Sequence, residues 1–485
     1  MSGRRSIVRW LSRNLTERNC LLLLVALFLL LSILIAPIPY LPEKDLADAT
    51  TNDIWIDHYA QGTYHIPLNE WNYGPTQSVV VWYDGNYTVV NEKGPGHVMM
   101  MLPFYLLGAG FLFAPVMMAF ATFSTYMLGK RLLSWRVGIL AAILVLTNGT
   151  VLVMWYRYYW TDASTMHTLV LSIWLLVEAI YWFNGKSLDA NAKDATSRQR
   201  LLALGLGALS GLAFGASVST RYATALILIA MVFYLLTFYL IRSWPHLKKR
   251  DITRAAKSTA GFWVLLAAFA VGLLVVLVPL MSYNTEYFGA PFRSGYDETL
   301  LTHFNPIIGL NPRNTSTGWS SNFFSNLWTA WNNLLDVLPT LVLRVPALLL
   351  VPVGIWVLRR RPLVLSFLLL WILINFLTYL TLSWVDMYAN LPPETLHEPR
   401  YFMPSLPPIA MLAAAAVDRI AQRAVDENAL TRDATPEGKR VARAVVVLII
   451  IGLLALSGLL AAANYFGNMD YGGALRPPRP PPPGP

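Results

Sequence analysis

Four cations in this sequence, Lys93, Arg221, Arg293 and Arg400, fall where an apolar run meets a polar segment. A phosphate leaving group gathers negative charge on its oxygens, and fixed cations stabilise it. Arginine grips such oxygens with two parallel N–H groups, whereas lysine acts as a point charge. The ordinary role of a cation at such a junction is to anchor a lipid headgroup or pair with a local acid. That role suits Arg157, Arg313 and Arg344. It suits Lys93 and Arg400 less well, because each sits beside glycine or proline: NEKGPGH around Lys93 and HEPRYFMP around Arg400.

Acids stand opposite these cations. Asp45, Asp48, Asp53, Asp57, Glu70, Asp84 and Glu92 gather between two hydrophobic blocks. A carboxylate in a partly dehydrated cavity can take the proton of a hydroxyl, an effect worth about 10²–10⁴ in rate. Most acids in such a loop are simply solvated. Asp53 is set apart because Ile54, Trp55 and Ile56 follow it, turning the chain towards apolar surroundings. Asp162 opens a later apolar run directly after the aromatic turn WYRYYWTD, at a depth where charge is costly and usually functional. A structural role explains it equally well: Thr161 can cap that helix, and Asp162 suits the positive end of its dipole.

Histidines 58, 65, 97, 303 and 397 show neither HxH nor HExxH spacing. Oxygen ligands leave little trace in sequence, so a divalent ion held by acids stays open. There is no Walker loop, no GxSxG and no dinucleotide fingerprint. Any group transfer must therefore use a donor activated elsewhere.

The elements that position these residues follow from composition. The chain has 485 residues, 55% of them hydrophobic and only 13% charged, with a mean hydropathy of +0.48. A hydrocarbon core about 30 Å thick needs about 20 apolar residues per helix, and such runs recur. The sequence reads as all-α and polytopic, with about 11 transmembrane helices and a large first extracytoplasmic loop. Segments 1–19, 129–136, 184–200, 242–257, 359–361 and 419–443 carry 27 of the 37 Lys and Arg residues. Acids are distributed the other way. The net charge of +10 is thus a positive-inside signal and not a nucleic-acid footprint.

Residues 1–19 read as a basic cytoplasmic N-terminus, and Cys20 to Ile38 as a retained first span, longer than a signal h-region of about 7–15 residues. Residues 20–464 form the membrane region, with outer loops at about 41–96 and 283–338, and 465–485 form a proline-rich outer tail. The uncharged stretch from His97 to Gly129 would be about 50 Å long as one helix, so Pro103 and Gly108 divide it. Leu201 to Ile241 must likewise be two helices, with Arg221 at the turn. Gly207, Gly211 and Gly215 form a small-residue face for close packing. Phe324 to Leu338 reads as an amphipathic helix at the outer interface. Lone Cys20 excludes an intramolecular disulfide.

With these segments placed, the chain resembles the GT-C superfamily of integral-membrane glycosyltransferases. It looks closest to bacterial relatives of the dolichyl-phosphate-mannose protein mannosyltransferases and of the aminoarabinose transferase. The likeness lies in NDIWIDHYAQGTYHI with DGNYTVVNEKGPGHVMMMLPFYLLG, YRYYWTDASTMHTLVL, YNTEYFGAPFRSGY and HEPRYFMPSLPPIAML, with STRYATALI as a weaker match. The resemblance implies a polyprenyl-phosphate-sugar donor, an outward-facing site and inversion at the anomeric carbon. By position, Asp53 would be the base and Asp162 the second acid, positioning substrate or a metal. Lys93 and Arg400 would hold the lipid phosphate, assisted by Arg221. Asp57, Arg293, Tyr296 and His397 fall in the same stretches as further substrate contacts. The chain departs from the family in having scattered acids instead of an acidic pair, GPG after the lysine, and no soluble C-terminal domain.

The expectation is a sugar transferase of the inner (cytoplasmic) membrane, acting on its outer face. Its partners would be a polyprenyl-phosphate sugar, membrane lipid and an acceptor glycan, lipid or protein. A transporter or flippase of lipid-linked sugars is the main rival; it calls for mid-membrane charges and often a repeated half. Here the charges lie at helix ends and no repeat is visible. A non-catalytic scaffold would leave the outer acids and cations without a common purpose.

Overall fold

The computed structural model describes residues 14–35, 47–71, 78–156, 161–188, 195–295, 323–380, 400–428 and 434–467. Among them the first helix, α1 (Glu17–Ile35), is an apolar span at the edge of the bundle. It leads to α2 (Ala47–Ala60), which buries Thr51, Asn52, Trp55, Ile56 and Tyr59. That spacing is one face of a helix, so Asp53 stands on a helix and not in an open loop.

The all-helical expectation is then modified by a small antiparallel sheet of β1 (Ile66–Pro67), β2 (Ser78–Tyr83) and β3 (Asn86–Asn91), in the order β1-β3-β2. Asp84 and Gly85, with φ of 47° and 78°, make the turn between β2 and β3. Two left-handed residues are what a tight hairpin needs, and Asp-Gly is its usual sequence. Val79 and Val81 on one face, with Val90 opposite, pack against Tyr283, Tyr287 and Phe288. Tyr83 Oη donates to Glu286 at 2.7 Å, which ties the hairpin down and raises the phenol's pKa.

From β3 the chain enters α3 (Gly96–Leu106) and then α4 (Phe113–Leu132), divided at Gly108 as its positive φ allows. Next come α5 (Trp135–Leu146), α6 (Gly149–Tyr156), α7 (Thr161–Phe183), α8 (Ser197–Thr220), α9 (Leu228–Lys248) and α10 (Ile252–Phe288). The remainder is α11 (Phe323–Arg344), α12 (Val351–Leu358), α13 (Pro362–Leu380), α14 (Leu406–Asp426) and α15 (Pro436–Gly467). This is a multi-pass membrane protein.

Within the described residues the apolar segments are helical, but several are broken and fewer qualify singly as spans than the 11 expected. Among the described residues eight helices are long and apolar enough to cross a membrane, or nine if a bent pair is one span. That pair, Ala330–Arg344 and Pro346–Leu358, bends by 103°, so the amphipathic helix runs on to Arg344 before the chain turns. Thr147 and Asn148 break the apolar run after Arg136 into α5 and α6. The Asn148 side chain accepts from Val151 N–H and donates to the Arg344 carbonyl, 3.1 Å away at the other bend. The α14 helix misses on composition, because Asp418, Arg419, Arg423 and Asp426 crowd its second half.

The glycine face of α8 does what the spacing predicts. A Cβ at Gly211 would lie 1.8 Å from the Phe269 carbonyl oxygen, and one at Gly272 would lie 1.7 Å from that of Ala208. The backbones of α8 and α10 are therefore in mutual contact. Gly211→Val is expected to force them apart, at a cost of about 1–3 kcal/mol. Thermal unfolding in detergent would register this as a lower melting temperature, while Gly205→Ala, where a Cβ meets nothing within 4 Å, would leave it unchanged.

Candidate active site

A polar ladder sets α7 against α8. Ser172 and Ser210 exchange hydrogen bonds with each other's carbonyls at 2.8 Å. Ser217 Oγ donates to the Thr165 carbonyl at 3.0 Å, and the Thr165 and Thr220 hydroxyls lie 2.9 Å apart. With the register fixed to that end, Asp162 in the first turn of α7 meets Arg221, the residue that ends α8 with extended backbone.

The ion pair is short, with Arg221 Nη2 2.8 Å from the Asp162 carboxylate. A second guanidinium approaches the same acid: Arg400 Nε is 3.8 Å from Asp162 Oδ2. All three side chains are buried, Asp162 at 1% exposure and Arg400 at 2%. The Tyr401 ring underlies both cations, 5.0 Å from the Arg221 guanidinium and 4.7 Å from that of Arg400. Tyr379 stacks beside it with ring centroids 5.4 Å apart. Asn375 on α13 holds the Tyr401 carbonyl at 3.3 Å. Burying charge is tolerable only when it is paired and hydrogen-bonded. Here the Asp162 carboxylate faces two guanidinium groups.

Lys93 is brought to this cluster by glycines. A Cβ at Gly94 would sit 2.8 Å from the Ser219 carbonyl oxygen and the Tyr222 hydroxyl, and one at Gly96 would sit 2.0 Å from Ser219 Oγ. Only bare backbone lets the Lys93–Gly96 loop lie on the turn that carries Arg221. A third segment closes over it, since a Cβ at Gly295 would be 2.5 Å from Glu92 Cα. Tyr222 Oη donates to Asn284 at 3.2 Å, which in turn donates to the Pro291 carbonyl. Glu92 and Lys93 are both buried between these segments. His97 Nδ1 lies 3.0 Å from Ser164 Oγ, two residues along from Asp162.

The remaining predicted residues lie elsewhere. Asp53 and Asp57, one turn apart on α2, are half-buried and exposed respectively. Tyr105 Oη, on α3, donates to Asp57, and α2 packs on α3. The first turn of α3 carries His97, and Tyr59 of α2 lies near Tyr222, the neighbour of Arg221, so Asp53's helix borders the turn that carries the cluster. Arg293 is exposed, and its guanidinium donates to the Phe288 carbonyl at 3.4 Å, at the C-terminal end of α10. Tyr296 and His397 lie outside the described residues. No three His, Cys, Asp or Glu side chains converge on a metal position among the described residues.

Tyr401, Tyr379, Ser164 and His97 join this cluster without a motif in the sequence to mark them. Tyr401 had a visible signal, as it follows Arg400 directly. His97 was weighed only for metal spacing. Thr161 Oγ1 and Ser405 Oγ, beside the cluster, are buried with no hydrogen-bond partner among the described residues. They leave polar capacity unused there.

No protein-family model and no curated relative matches the sequence. Solved structures do match. An Archaeoglobus fulgidus oligosaccharyltransferase, AglB, in complex with an inhibitory peptide and a dolichol-phosphate superposes with a TM-score of 0.50 at 14% identity, covering 91% of this chain and 56% of that one. Its apo form gives 0.50 at 13% identity with the same coverage. ArnT from Cupriavidus metallidurans bound to undecaprenyl phosphate gives 0.45 at 15% identity, covering 92% of this chain and 75% of that one. This chain thus spans just over half the length of the oligosaccharyltransferase it matches. At such identities the likeness is one of fold, and the fold is the one that the sequence resemblance to GT-C enzymes implied.

Proposed function

We propose that the protein is a glycosyltransferase that moves a sugar from a polyprenyl-phosphate donor to an acceptor hydroxyl at the non-cytosolic face of the inner membrane. The observation that carries this reading is the buried cluster of Arg221 and Arg400 on one carboxylate, Asp162, with the Lys93 loop laid against it. Fixed positive charge gathered at a helix end suits the phosphate of a lipid-linked donor. The dolichol-phosphate held by the oligosaccharyltransferase of the same fold supports that choice of ligand.

In this reading the acceptor oxygen attacks the sugar's anomeric carbon as the bond from that carbon to the phosphate oxygen breaks. The configuration inverts. The hydroxyl proton passes to Asp53, and polyprenyl phosphate leaves with its charge held by Lys93 and Arg400. Arg221 and Asp162 fix the position of Arg400 and shape the site. Asp57 on the same helix and Arg293, Tyr296 and His397 are assigned to substrate contact.

The test is transfer from a polyprenyl-phosphate sugar by protein reconstituted in liposomes, together with mass spectrometry of copurifying lipid. A polyprenyl phosphate in the purified sample and labelled product from the donor are expected. Transport of the donor without any product would reject the reading. Asp53→Asn is expected to lower turnover by about 10²–10⁴-fold while donor binding stays near wild type. Wild-type turnover in that variant would remove Asp53 from the role of base.

A further inference from the structure

At the other end of the bundle, two arginines share one tryptophan. The Arg359 guanidinium lies 4.2 Å from the Trp356 ring centroid, and that of Arg423 lies 4.7 Å from the same centroid. Trp356 is 42% exposed. Its helix, α12, packs along α14, which brings Arg423 alongside it. Arg423 lies 23 residues beyond Arg400, about 35 Å along a helical path, so this is the face away from the Asp162 cluster. Arg361 confirms the level, donating to the carbonyls of Leu132 and Leu133 where α4 ends.

The pair has no carboxylate within ion-pair distance among the described residues. Arg359 Nη1 donates only to the Trp356 carbonyl of its own helix end, 3.0 Å away. The neighbouring Asp418 is taken by Arg443 at 2.8 Å, and Arg419 donates to Gln422 at 2.9 Å. Two like charges on one indole repel each other, and Asp426 and Glu427, one turn from Arg423, form no ion pair with either arginine among the described residues. Other aromatics at this end carry a single cation: Lys186 on Trp182 and Lys248 on Trp244. A topological signal needs positive charge in the loop but no particular geometry. The doubled arrangement at Trp356 therefore calls for another explanation.

We propose that Arg359, Arg423 and Trp356 form a binding site for the phosphodiester headgroup of an anionic phospholipid on the basic face of the membrane. The indole sits at the interface, where tryptophan is favoured. The two guanidinium groups supply flat donors for phosphate oxygens, and basic pockets between helices on this side are suited to anionic headgroups. The site is independent of the transfer chemistry proposed above.

The test uses the full chain purified in a neutral detergent, with native mass spectrometry read after titration with cardiolipin, with phosphatidylcholine and with inorganic phosphate. Each arginine near an anionic surface is worth about a fivefold change in affinity. Arg359→Gln with Arg423→Gln is therefore expected to weaken cardiolipin binding by about thirtyfold, with phosphatidylcholine unaffected. Lys249→Gln with Arg250→Gln, which removes the same charge elsewhere, is expected to change little. Trp356→Phe keeps both arginines and an aromatic ring, and is expected to fall between wild type and the double variant. Equal cardiolipin binding in wild type and the arginine double variant would overturn the proposal. So would inorganic phosphate binding as tightly as the lipid, since the site would then be one for a soluble anion.

Discussion

Asp162→Asn is expected to abolish transfer and lower the melting temperature together. The carboxylate is buried against Arg221 at 2.8 Å and Arg400 at 3.8 Å, so its loss takes a counter-charge from two buried cations at once. Removing one partner of a buried ion pair costs about 3–5 kcal/mol. Turnover should fall by more than about 100-fold, because Arg400 would no longer be held where a phosphate can use it. Adding Arg221→Met to this variant removes one stranded charge, so part of the stability should return without any activity. Thermal unfolding of the single and double variants measures that coupling directly. If Asp162→Asn melted at the wild-type temperature, the ion-pair cluster would have no energetic weight, and its place at the centre of the site would be lost.

The second large effect is expected from one methyl group. In Gly96→Ala the new Cβ would lie 2.0 Å from Ser219 Oγ and 2.6 Å from the Ser219 carbonyl carbon. The hydroxyl can rotate away, but the backbone carbon cannot. The Glu92–Gly96 loop must then lift off the turn that carries Arg221, moving Lys93 with it. Overpacking of this kind costs about 1–3 kcal/mol, and a displacement of about 1 Å at a reacting centre can cost about 10²-fold in rate. Gly110→Ala is the control, because a Cβ there meets nothing within 4 Å. Turnover measured on both variants, with donor binding measured separately, tells misplacement of Lys93 from general unfolding. Full activity in Gly96→Ala would show that the close approach at Ser219 has no part in placing the lysine.

Much of the site was legible before the fold because it relies on charges placed where charge is expensive. Arg221 interrupts an apolar run, and Asp162 and Arg400 each open one, so the cost of charge there marked them. Their mutual contact was not legible. It depends on the serine and threonine ladder between α7 and α8, whose residues look unremarkable in a membrane helix. The Lys93 loop was visible as GPG, but not the reason for its glycines, which lies in a backbone more than a hundred residues away. The hairpin was missed although Asp84-Gly85 announces it, because the first polar segment was read for its acids and not for alternation. The α2 helix was hidden for a similar reason: its buried face is only a few residues wide and includes Thr51 and Asn52. Asp53 is the residue for which sequence position and structure are least tightly joined. Its helix borders the cluster through α3 and through Tyr59 beside Tyr222, neither of which its sequence position announces.

The hydrogen bond from Asn148 to the Arg344 carbonyl has a bearing on how the protein is made. Both residues sit at interruptions in otherwise apolar segments, where exposed peptide groups would be very costly in hydrocarbon. The first break caps its own backbone through Asn148 Oδ1, but the Arg344 carbonyl takes the Asn148 amide, almost two hundred residues away in the chain. A nascent protein that has inserted only its first half must hold Asn148 at a place where its eventual acceptor has not been synthesised. Biogenesis must therefore include a late docking event, in which the C-terminal half is threaded against an N-terminal half already resident in the bilayer. Until that event, the Asn148 side-chain amide would rely on water or on the translocation machinery for the acceptor that Arg344 later supplies.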